Sequence, residues 1–277
     1  VTRPAVRWFG GKWLLAPWII SHFGQHRIYV EPFGGGASVL LRKPPSYAEI
    51  YNDLDQDVVA LFTVLRSAQA QDLVHAIELT PFARDEFGAA CEPCEDPFER
   101  ARRLVVRSFM GFGSNAHNGA RSTGFRANSN RSGTTPAKDW RNYPEALRLV
   151  IDRMRGVIVE NRPALQVMAA HDGKDTLHYV DPPYMHETRA PARATNKAYG
   201  GYSFEMTDAE HCELLAFLAS LKGMVIVSGY RCPLYDEALA GWLRMDREAL
   251  ADGAQKRTES LWLNAAAAAA MPAQRLL

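Results

Sequence analysis

The tetrapeptide Asp181-Pro182-Pro183-Tyr184 combines residue types that can do chemistry. An apolar run, Thr176–Val180, precedes it and is typical of a buried strand. Two consecutive prolines cannot continue a hydrogen-bonded ladder, so the chain must leave the sheet there. A carboxylate, a rigid turn and an aromatic ring are therefore held together at the carboxyl end of a strand, where open α/β sheets bind ligands. The alternative interpretation is an ordinary strand-ending turn with a tyrosine beside it.

A second candidate group is the glycine-rich stretch Glu31-Pro32-Phe33-Gly34-Gly35-Gly36. It follows a predicted strand at residues 27–30 and precedes an apolar segment at residues 39–41, which we expect to begin a helix. Strand, glycine-rich turn and helix form the layout of a nucleotide-type cofactor site, because glycines let the backbone approach the ligand. The stretch matches neither G-x-G-x-x-G nor a P-loop, which disfavours a pyrophosphate or ATP site.

Asp53 follows the next predicted strand, at residues 47–51. It comes about 20 residues after the glycines, as the ribose-binding acid does in dinucleotide folds. An acid at this position can accept hydrogen bonds from ribose hydroxyls. Its alternative role is to cap a helix predicted to begin near Gln56. Because Asp55 suits capping better, the sequence favours ligand binding for Asp53.

Positive charge is concentrated between Arg100 and Arg155, although the whole chain has a net charge of only +1. This span holds twelve lysine or arginine residues against three acids, an excess of nine. Such a block indicates a polyanionic partner if the side chains share one face. The alternative is that several of these arginines only solvate helix surfaces.

The centre of this block, residues 111–131, is rich in Gly, Asn, Ser and Arg, with Phe112 and Phe125 interspersed. Asn118-Gly119 is a strong signal for a hairpin turn. Asn and Arg side chains contact adenine and guanine edges, and phenylalanine stacks on bases. The sequence favours nucleic-acid contact over a weakly ordered loop. The candidate DNA-binding residues are Asn118, Arg121, Arg126 and Arg131.

The remaining pattern predicts an α/β fold. We expect strands at residues 156–160, 224–228, 242–245 and 257–263, and helices over much of 54–110 and at 12–23, 143–155 and 207–220. Pro17 interrupts the first of these helices, and Glu210 completes a capping box with Thr207 in the last. The polar loop at residues 185–203 suggests a lid. We assign no function to the alanine tail, Ala265–Ala270.

The composition is that of a soluble globular protein, with 277 residues, 47% hydrophobic and 23% charged. We see neither an apolar run of the ~18 residues that span a bilayer nor a signal peptide, so the sequence predicts a cytoplasmic protein. Four cysteines do not suggest a disulfide framework. Cys91 and Cys94 could form half of a zinc site, but no second pair follows, so we expect no metal.

Five blocks together resemble the Dam-type (D12 class) S-adenosylmethionine-dependent DNA adenine-N6 methyltransferases. They are Arg7-Trp8-Phe9-Gly10-Gly11-Lys12, the stretch 29–38, Asn52-Asp53, Tyr179-Val180-Asp181-Pro182-Pro183-Tyr184 and the stretch 256–264. The resemblance implies a Rossmann-like methyltransferase sheet with an inserted, mainly helical target-recognition region that carries a β-hairpin. It divides the chain into a donor-binding part (1–69), the insertion (70–155) and the part with the Asp-Pro-Pro-Tyr turn (156–277).

The same resemblance implies roles for individual residues. Those expected to hold the donor S-adenosylmethionine are Trp8, Gly10, Gly11, Lys12, Glu31, Pro32, Phe33, Gly34, Gly36, Asp53, Asn161 and Asp181. The catalytic residues are Asp181, Pro182, Pro183 and Tyr184. Asp181 and the Pro182 carbonyl would accept the N–H groups of the adenine amino group, and Tyr184 would stack on a base that has left the duplex.

The expected substrate is therefore double-stranded DNA, methylated at adenine N6 within GATC or a relaxed site. The expected protein is a monomer, without a metal, in the cytoplasm of a bacterial or phage-infected cell. An adenine-N6 methyltransferase acting on RNA, or a methyltransferase acting on a protein amide, is one alternative. A non-catalytic DNA-binding protein that kept the fold is another.

Overall fold

The computed structural model describes residues 1–113, 116, 123–128, 133–185, 188, 203–250 and 256–272. One sheet of seven strands forms the centre of this part of the chain. The strands are β1 (Ile28–Glu31), β2 (Ala48–Asn52), β3 (Val157–Glu160), β4 (Thr176–Val180), β5 (Met224–Gly229), β6 (Leu243–Leu250) and β7 (Lys256–Leu263). Their order across the sheet is β3-β2-β1-β4-β5-β7-β6.

Strands β1 to β5 are parallel, and β7 pairs antiparallel with both β5 and β6. Every residue of β4 and β5 is buried, as expected for central parallel strands covered on both faces. The strand order reverses between β1 and β4, and ligands bind in the crevice outside such a switch point. Glu31 ends β1 and Asp181 follows β4, so this topology brings two predicted site residues to one crevice.

Eleven helices surround the sheet in the described residues. They are α1 (Ala16–Ile20), α2 (Gln56–Leu65), α3 (Ala70–Leu79), α4 (Arg84–Ala90), α5 (Pro97–Met110), α6 (Pro136–Arg141), α7 (Tyr143–Met154), α8 (Ala164–His171), α9 (Asp208–Leu218), α10 (Pro233–Ala238) and α11 (Ala265–Ala270). Six of them, α2 to α7, lie between β2 and β3 in the chain. Among the described helices, none is long and apolar enough to cross a membrane.

The alternation of side chains along the strands builds two cores, one on each face of the sheet. Tyr29 and Tyr179 point to the face covered by α2, α3, α5 and α7. Their neighbours Val30 and Val180 point to the opposite face, against α8 and α9. The first core is continuous from the sheet to the helices of the 70–155 span, because Leu104 and Leu147 belong to it.

The structure confirms all seven predicted strands and the helices predicted within 54–110 and at 143–155 and 207–220. The capping box predicted at the last of these is present, with Thr207 and Glu210 exchanging hydrogen bonds. The helix predicted at residues 12–23 is confirmed only for Ala16–Ile20, with Pro17 in its first turn, where a missing N–H is tolerated. Residues 12–15 are therefore loop, which leaves Lys12 on the approach to the crevice.

One other expectation was wrong, and one segment that had no predicted structure is a helix. Residues 39–41 form turns rather than a helix, because the Leu40 N–H donates to the Glu31 carboxylate and Pro44 and Pro45 soon end any helical pattern. The alanine tail is a helix, α11, capped by the Asn264 side chain. Its last residue packs so closely on Gly24 that a Cβ there would lie 2.5 Å from the Ala270 Cβ.

The predicted hairpin turn, Asn118-Gly119, lies outside the described residues, as does most of the predicted lid at 185–203. What is described is the antiparallel bridge between Gly111 and Phe125, on either side of that turn. The Phe112 N–H donates to the Gly124 carbonyl at 2.9 Å. The hairpin itself stays a prediction.

Candidate active site

A cavity of about 230 Å³ opens at the carboxyl ends of β1, β2 and β4. Its walls come from the N-terminal loop, the turns after these three strands and the segment that precedes α9. The predicted site residues that line it are Trp8, Gly10, Gly11, Lys12, Glu31, Pro32, Phe33, Gly34, Gly36, Asp53, Asp181 and Pro183. Residues far apart in sequence therefore share one cavity, as the motifs predicted. The segment Ser203-Phe204-Glu205-Met206 adds a wall that the motifs did not predict.

The glycine-rich turn is held between two aromatic side chains. A Cβ on Gly34 would lie 2.1 Å from Cε2 of Tyr51, and one on Gly35 would lie 2.5 Å from Nε1 of Trp8. Gly35 also has a φ of +46°, in the left-handed region that favours glycine. The Tyr51 hydroxyl donates to the Gly35 carbonyl at 2.7 Å. The turn thus presents backbone, without side chains, to the cavity.

Asp53 is fixed against this turn. Its Oδ2 accepts the Gly35 N–H at 2.7 Å, and its Oδ1 accepts the Asp55 N–H at 2.8 Å. Burial raises the pKa of Asp53 to about 6. Asp55, and not Asp53, is the N-cap of α2, as predicted, because its side chain accepts the Asp57 N–H. Each Asp53 oxygen has lone-pair capacity left for a hydroxyl donor.

Asn161 is not among the residues that line the cavity. Its Nδ2 donates to the Asp53 backbone carbonyl at 2.7 Å, so it steadies the turn after β2 from behind.

Glu31 is a buried carboxylate with two donors. Its Oε2 accepts the Tyr29 hydroxyl at 2.7 Å and the Leu40 N–H at 3.0 Å. The pKa of Glu31 is raised to about 8, chiefly by burial. The bonds from Tyr29 and Leu40 oppose this rise, and the nearby Asp181 charge adds to it. A strongly shifted carboxylate in a crevice is typical of a functional site.

Asp181 pairs with Lys12. Nζ of Lys12 lies 3.1 Å from Oδ2 of Asp181, and it also donates to the Gly10 carbonyl at 2.8 Å. Burial raises the pKa of Asp181 to about 6, while Lys12 lowers it and Glu259 raises it. Oδ1 of Asp181 is buried and accepts no hydrogen bond from the described residues. The site therefore holds an open acceptor beside the glycine-rich turn.

Tyr184 lies behind the cavity rather than in its wall. Its ring is buried, with Lys12 Nζ 4.6 Å from the ring centroid and Tyr230 packed edge-on at 4.7 Å. Its hydroxyl donates to the carboxylate of Glu259. Tyr230 and Glu259 were missed by the sequence analysis. A signal existed for both, because Tyr230 directly follows a buried strand and Glu259 is an acid within the predicted strand at residues 257–263.

The structure describes one of the four predicted DNA-binding residues. Arg126 donates from Nη1 to the Phe109 carbonyl at 3.0 Å, whereas Asn118, Arg121 and Arg131 lie outside the described residues. Phe125, one of the two candidate stacking rings, packs on Phe82, Phe87 and Arg84. The other ring, Phe112, is 70% exposed.

Much of the basic block is neutralised within the fold. Ion pairs involving it are found, among the described residues, for Arg100, Arg102, Arg103, Arg107, Arg148, Arg153 and Arg155. Arg107 and Arg153 are themselves mostly buried, at 2.6 Å from Asp57 and Glu49 respectively. Most of these arginines pair with acids of the fold, many of which lie outside the 100–155 span, whereas the alternative interpretation had them only solvate helix surfaces. Charge in the sequence therefore overstates the charge available to DNA.

The thiols of Cys91 and Cys94 are not joined by a disulfide. Within the part of the chain that the structure describes, no group of three or more His, Cys, Asp or Glu side chains is arranged to hold a metal ion.

The parallel sheet with its antiparallel end, and the glycine-rich turn facing acids after β1, β2 and β4, define a Rossmann-like methyltransferase. Comparison with known proteins identifies the family. A family model described as D12 class N6 adenine-specific DNA methyltransferase matches residues 8–251. The chain belongs to this family and is an adenine-specific DNA methyltransferase, which confirms the family predicted from the motifs.

Two relatives show how far the similarity extends. The chain is 27% identical over 252 residues to a DNA adenine methylase of Salmonella typhi, covering 85% of this chain and 83% of that protein. It is 27% identical over 227 residues to a DNA adenine methylase of Escherichia coli (strain K12), covering 77% of this chain and 75% of that protein.

Proposed function

We propose that the chain transfers a methyl group from S-adenosylmethionine to the N6 amino group of an adenine that has left the stack of duplex DNA. The observation that carries the proposal is Asp181. Its carboxylate has a buried oxygen with no donor among the described residues, beside a cavity lined by the glycine-rich turn. A buried acceptor of this kind is suited to an N–H donor that arrives with the substrate.

The residues around the cavity fit S-adenosylmethionine. When bound, that donor supplies an electrophilic methyl group on a positively charged sulfonium. In the described part of the chain, six acids, among them Glu31, Asp53 and Asp181, line the cavity with one lysine, Lys12, and this excess of acids favours a cationic ligand. Asp53 is the proposed ribose acceptor, and the turn from Glu31 to Gly36, with Trp8, Gly10, Gly11 and Lys12, is the proposed cradle of the methionine part.

Asp181 prepares the nitrogen for transfer. The lone pair of an adenine amino group is delocalised into the ring, which makes the nitrogen a poor nucleophile. Acceptance of its two N–H bonds by the Asp181 carboxylate and the Pro182 carbonyl would favour a pyramidal nitrogen with an exposed lone pair. Before the base enters, Lys12 holds the other Asp181 oxygen at 3.1 Å, which orients the carboxylate towards the incoming amino group. The nitrogen gains the methyl group as the methyl–sulfur bond of the donor breaks, and the proton that the nitrogen then loses would pass to the Asp181 carboxylate that already accepts its N–H. Positioning of this kind is a large source of rate enhancement.

The depth of Asp181 supports base flipping. Its side chain is only 16% exposed, below the turn that ends β4. An amino group inside a duplex cannot reach that depth, so the target base must leave the stack. Tyr184 and Pro183 are the proposed walls of the base pocket.

The proposed site is GATC or a relaxed form of it, in keeping with the similarity to DNA adenine methylases. Candidate contacts are Asn118, Arg121, Arg126 and Arg131, with Phe112 as an exposed ring able to stack on bases. Sequencing methylated adenines in DNA from cells that express the protein would define the site. Assays with labelled donor on duplex DNA, RNA and protein would separate the substrate classes.

The test of the chemistry is Asp181→Ala. We expect methyl transfer to duplex DNA to fall by at least about 10³-fold, because both the acceptor and the partner of Lys12 are lost. Binding of S-adenosylmethionine, measured by calorimetry, should weaken far less than turnover, because Glu31 and Asp53 still line the cavity. Asp181→Asn is the matched control, since it keeps the shape and one acceptor oxygen but loses the charge, and it should be intermediate. Near-wild-type turnover in Asp181→Ala would disprove the mechanism.

A further inference from the structure

Glu259 is a buried carboxylate on β7, only 2% exposed, directly before Ser260 and the apolar run Leu261-Trp262-Leu263. A carboxylate in such surroundings loses its hydration and destabilises the fold unless it is well paired. Glutamine has the same shape and could accept the same hydrogen bonds without a charge. The negative charge at this position therefore calls for an explanation other than packing.

The side chain of Glu259 contacts two residues at the proposed base pocket and one residue of the neighbouring strand β5. Its Oε1 accepts the Tyr184 hydroxyl and the Ser228 hydroxyl, the latter at 2.8 Å. Lys12 Nζ lies 3.8 Å from the same oxygen. Glu259 itself is absent from the cavity lining, so it reaches the pocket only through these side chains.

Lys12 stands between two carboxylates. Its Nζ is 3.1 Å from Asp181, 3.8 Å from Glu259 and 4.6 Å from the centroid of the Tyr184 ring. In the arrangement described, the ammonium covers one face of the ring on which the target base is proposed to stack. A base that stacks on that face must displace Lys12 from the ring, and Glu259 offers the ammonium a second buried counter-charge.

We propose that Glu259 is a positioning residue for the target adenine: it fixes the Tyr184 ring through its hydroxyl and takes Lys12 when Asp181 turns to the adenine amino group. The inference rests on the proposed function, because it presumes that a flipped adenine enters beside Asp181. Glu259 acts through Tyr184 and Lys12, and it does not touch the reacting atoms.

The test compares Glu259→Gln with the wild-type protein in kcat and in three further measurements. Fluorescence of 2-aminopurine, placed at the target adenine of duplex DNA, reports base flipping without any methyl donor. We expect the rise in fluorescence to be smaller and kcat to fall by about 10-fold, because the neutral amide weakens the charge-assisted hydrogen bonds from Tyr184 and Ser228 and gives Lys12 no second counter-charge. Calorimetric affinity for S-adenosylmethionine should stay within about twofold, because Glu259 does not line the cavity.

The third measurement is the pH profile of kcat/KM, which reports groups of the free enzyme. Among the described residues, the charged and titratable groups that interact with Asp181 are Lys12, Glu31, Tyr179, Tyr184, Tyr230, Tyr235 and Glu259. Removing the Glu259 charge removes one influence that raises the pKa of Asp181. The acid limb should therefore move to lower pH in Glu259→Gln, a change that a purely structural residue would not cause.

Tyr184→Phe tests the same bond from its other end. It keeps the ring but removes the hydroxyl, so it should also reduce the 2-aminopurine signal, and its effect should not add to that of Glu259→Gln. This variant keeps the proposal testable if Glu259→Gln does not fold. Glu49→Gln is the matched control, because Glu49 is an equally buried carboxylate of the same sheet that pairs with Lys43 and Arg153 outside the cavity. It should leave the acid limb in place.

An unchanged acid limb together with additive effects on fluorescence would overturn the role of Glu259. Absence of both flipping and methyl transfer in the wild-type protein would be a different result, since it would overturn the proposed function itself.

Discussion

Three acids at the edge of the sheet, Glu31, Asp53 and Asp181, are kept in surroundings that disfavour their charge. Burial is the largest cause of the raised pKa of each. A protein selected for stability alone would not retain such groups, whereas an enzyme that binds a cationic ligand gains from them. We therefore expect these three acids to lower the stability of the fold and to strengthen binding of the ligand.

Glu31→Gln should show this trade. Burial raises the pKa of Glu31 from 4.5 to about 8, so the folded state holds the proton more tightly than the unfolded state does. Stability from this group is present below about pH 4.5 and is lost as pH rises towards 8, by up to about 1.4 kcal/mol per pH unit. The variant should therefore have the higher Tm at pH 8, by a margin that shrinks towards pH 5, and it should bind S-adenosylmethionine more weakly. Thermal melts across this range measure the first effect, and a margin independent of pH would contradict it.

At the scale of elements, the glycine-rich turn owes its shape to neighbours on both sides. Tyr51, on β2, and Trp8, in the N-terminal loop, occupy the space where side chains of Gly34 and Gly35 would lie. The turn is therefore not a flexible loop that happens to lie near a cavity. Three segments of the chain must pack together before the backbone is presented to the ligand.

Gly34→Ala should disrupt this packing. The added Cβ would lie 2.1 Å from a rigid aromatic ring that is itself fully buried, so the turn or Tyr51 must move. We expect overpacking to destabilise the protein by about 1–3 kcal/mol and to reduce affinity for S-adenosylmethionine. Denaturant unfolding and calorimetry measure the two effects. Gly88→Ala in α4 is the matched control, because no atom lies within 4 Å of its added Cβ, and it should be neutral or slightly stabilising. Equal behaviour of the two variants would contradict the argument.

Over the whole molecule, positive charge is less concentrated in the folded protein than it is along the sequence. Acids from α2 and β2 neutralise arginines of the basic block, as in the pairs of Asp57 with Arg107 and Glu49 with Arg153. The first pair joins α2 to α5, and the second attaches α7 to β2 of the sheet. Fewer of the described arginines of the block are therefore left to meet DNA.

Arginines of the two kinds should respond differently to alanine substitution. We expect Arg121→Ala and Arg131→Ala each to make the dependence of DNA affinity on salt shallower by about one ion, because each loses a phosphate contact. Arg153→Ala should keep the slope and instead lower the free energy of unfolding by about 3–5 kcal/mol, because it leaves Glu49 buried with one partner fewer. Titrations at several salt concentrations measure the slope. An unchanged slope in Arg121→Ala and Arg131→Ala would remove them from the interface.

Most strands, helices and motifs could be predicted from the sequence, because they depend on residues that are neighbours in the chain. Alternating and continuous apolar runs predicted every strand, and the family was evident from motifs such as Asp181-Pro182-Pro183-Tyr184. Where local signals competed, prediction failed, as at residues 39–41, where a hydrogen bond to Glu31 and the following prolines replaced a helix. The alanine tail gave no periodic signal, yet α11 packs on Gly24.

Contacts between side chains that are distant in the sequence could be known only from the tertiary structure. Tyr184 and Glu259 are 75 residues apart, and they contact each other because β5 pairs with β4 on one side and with β7 on the other. The same holds for Lys12 and Asp181, and for the arginines that find acids outside their own block. The sequence gives the charge and the hydrogen-bonding capacity of each side chain, but it does not give the distances between them. The open acceptor of Asp181 and the hydrogen bond that anchors Tyr184 both depend on such distances.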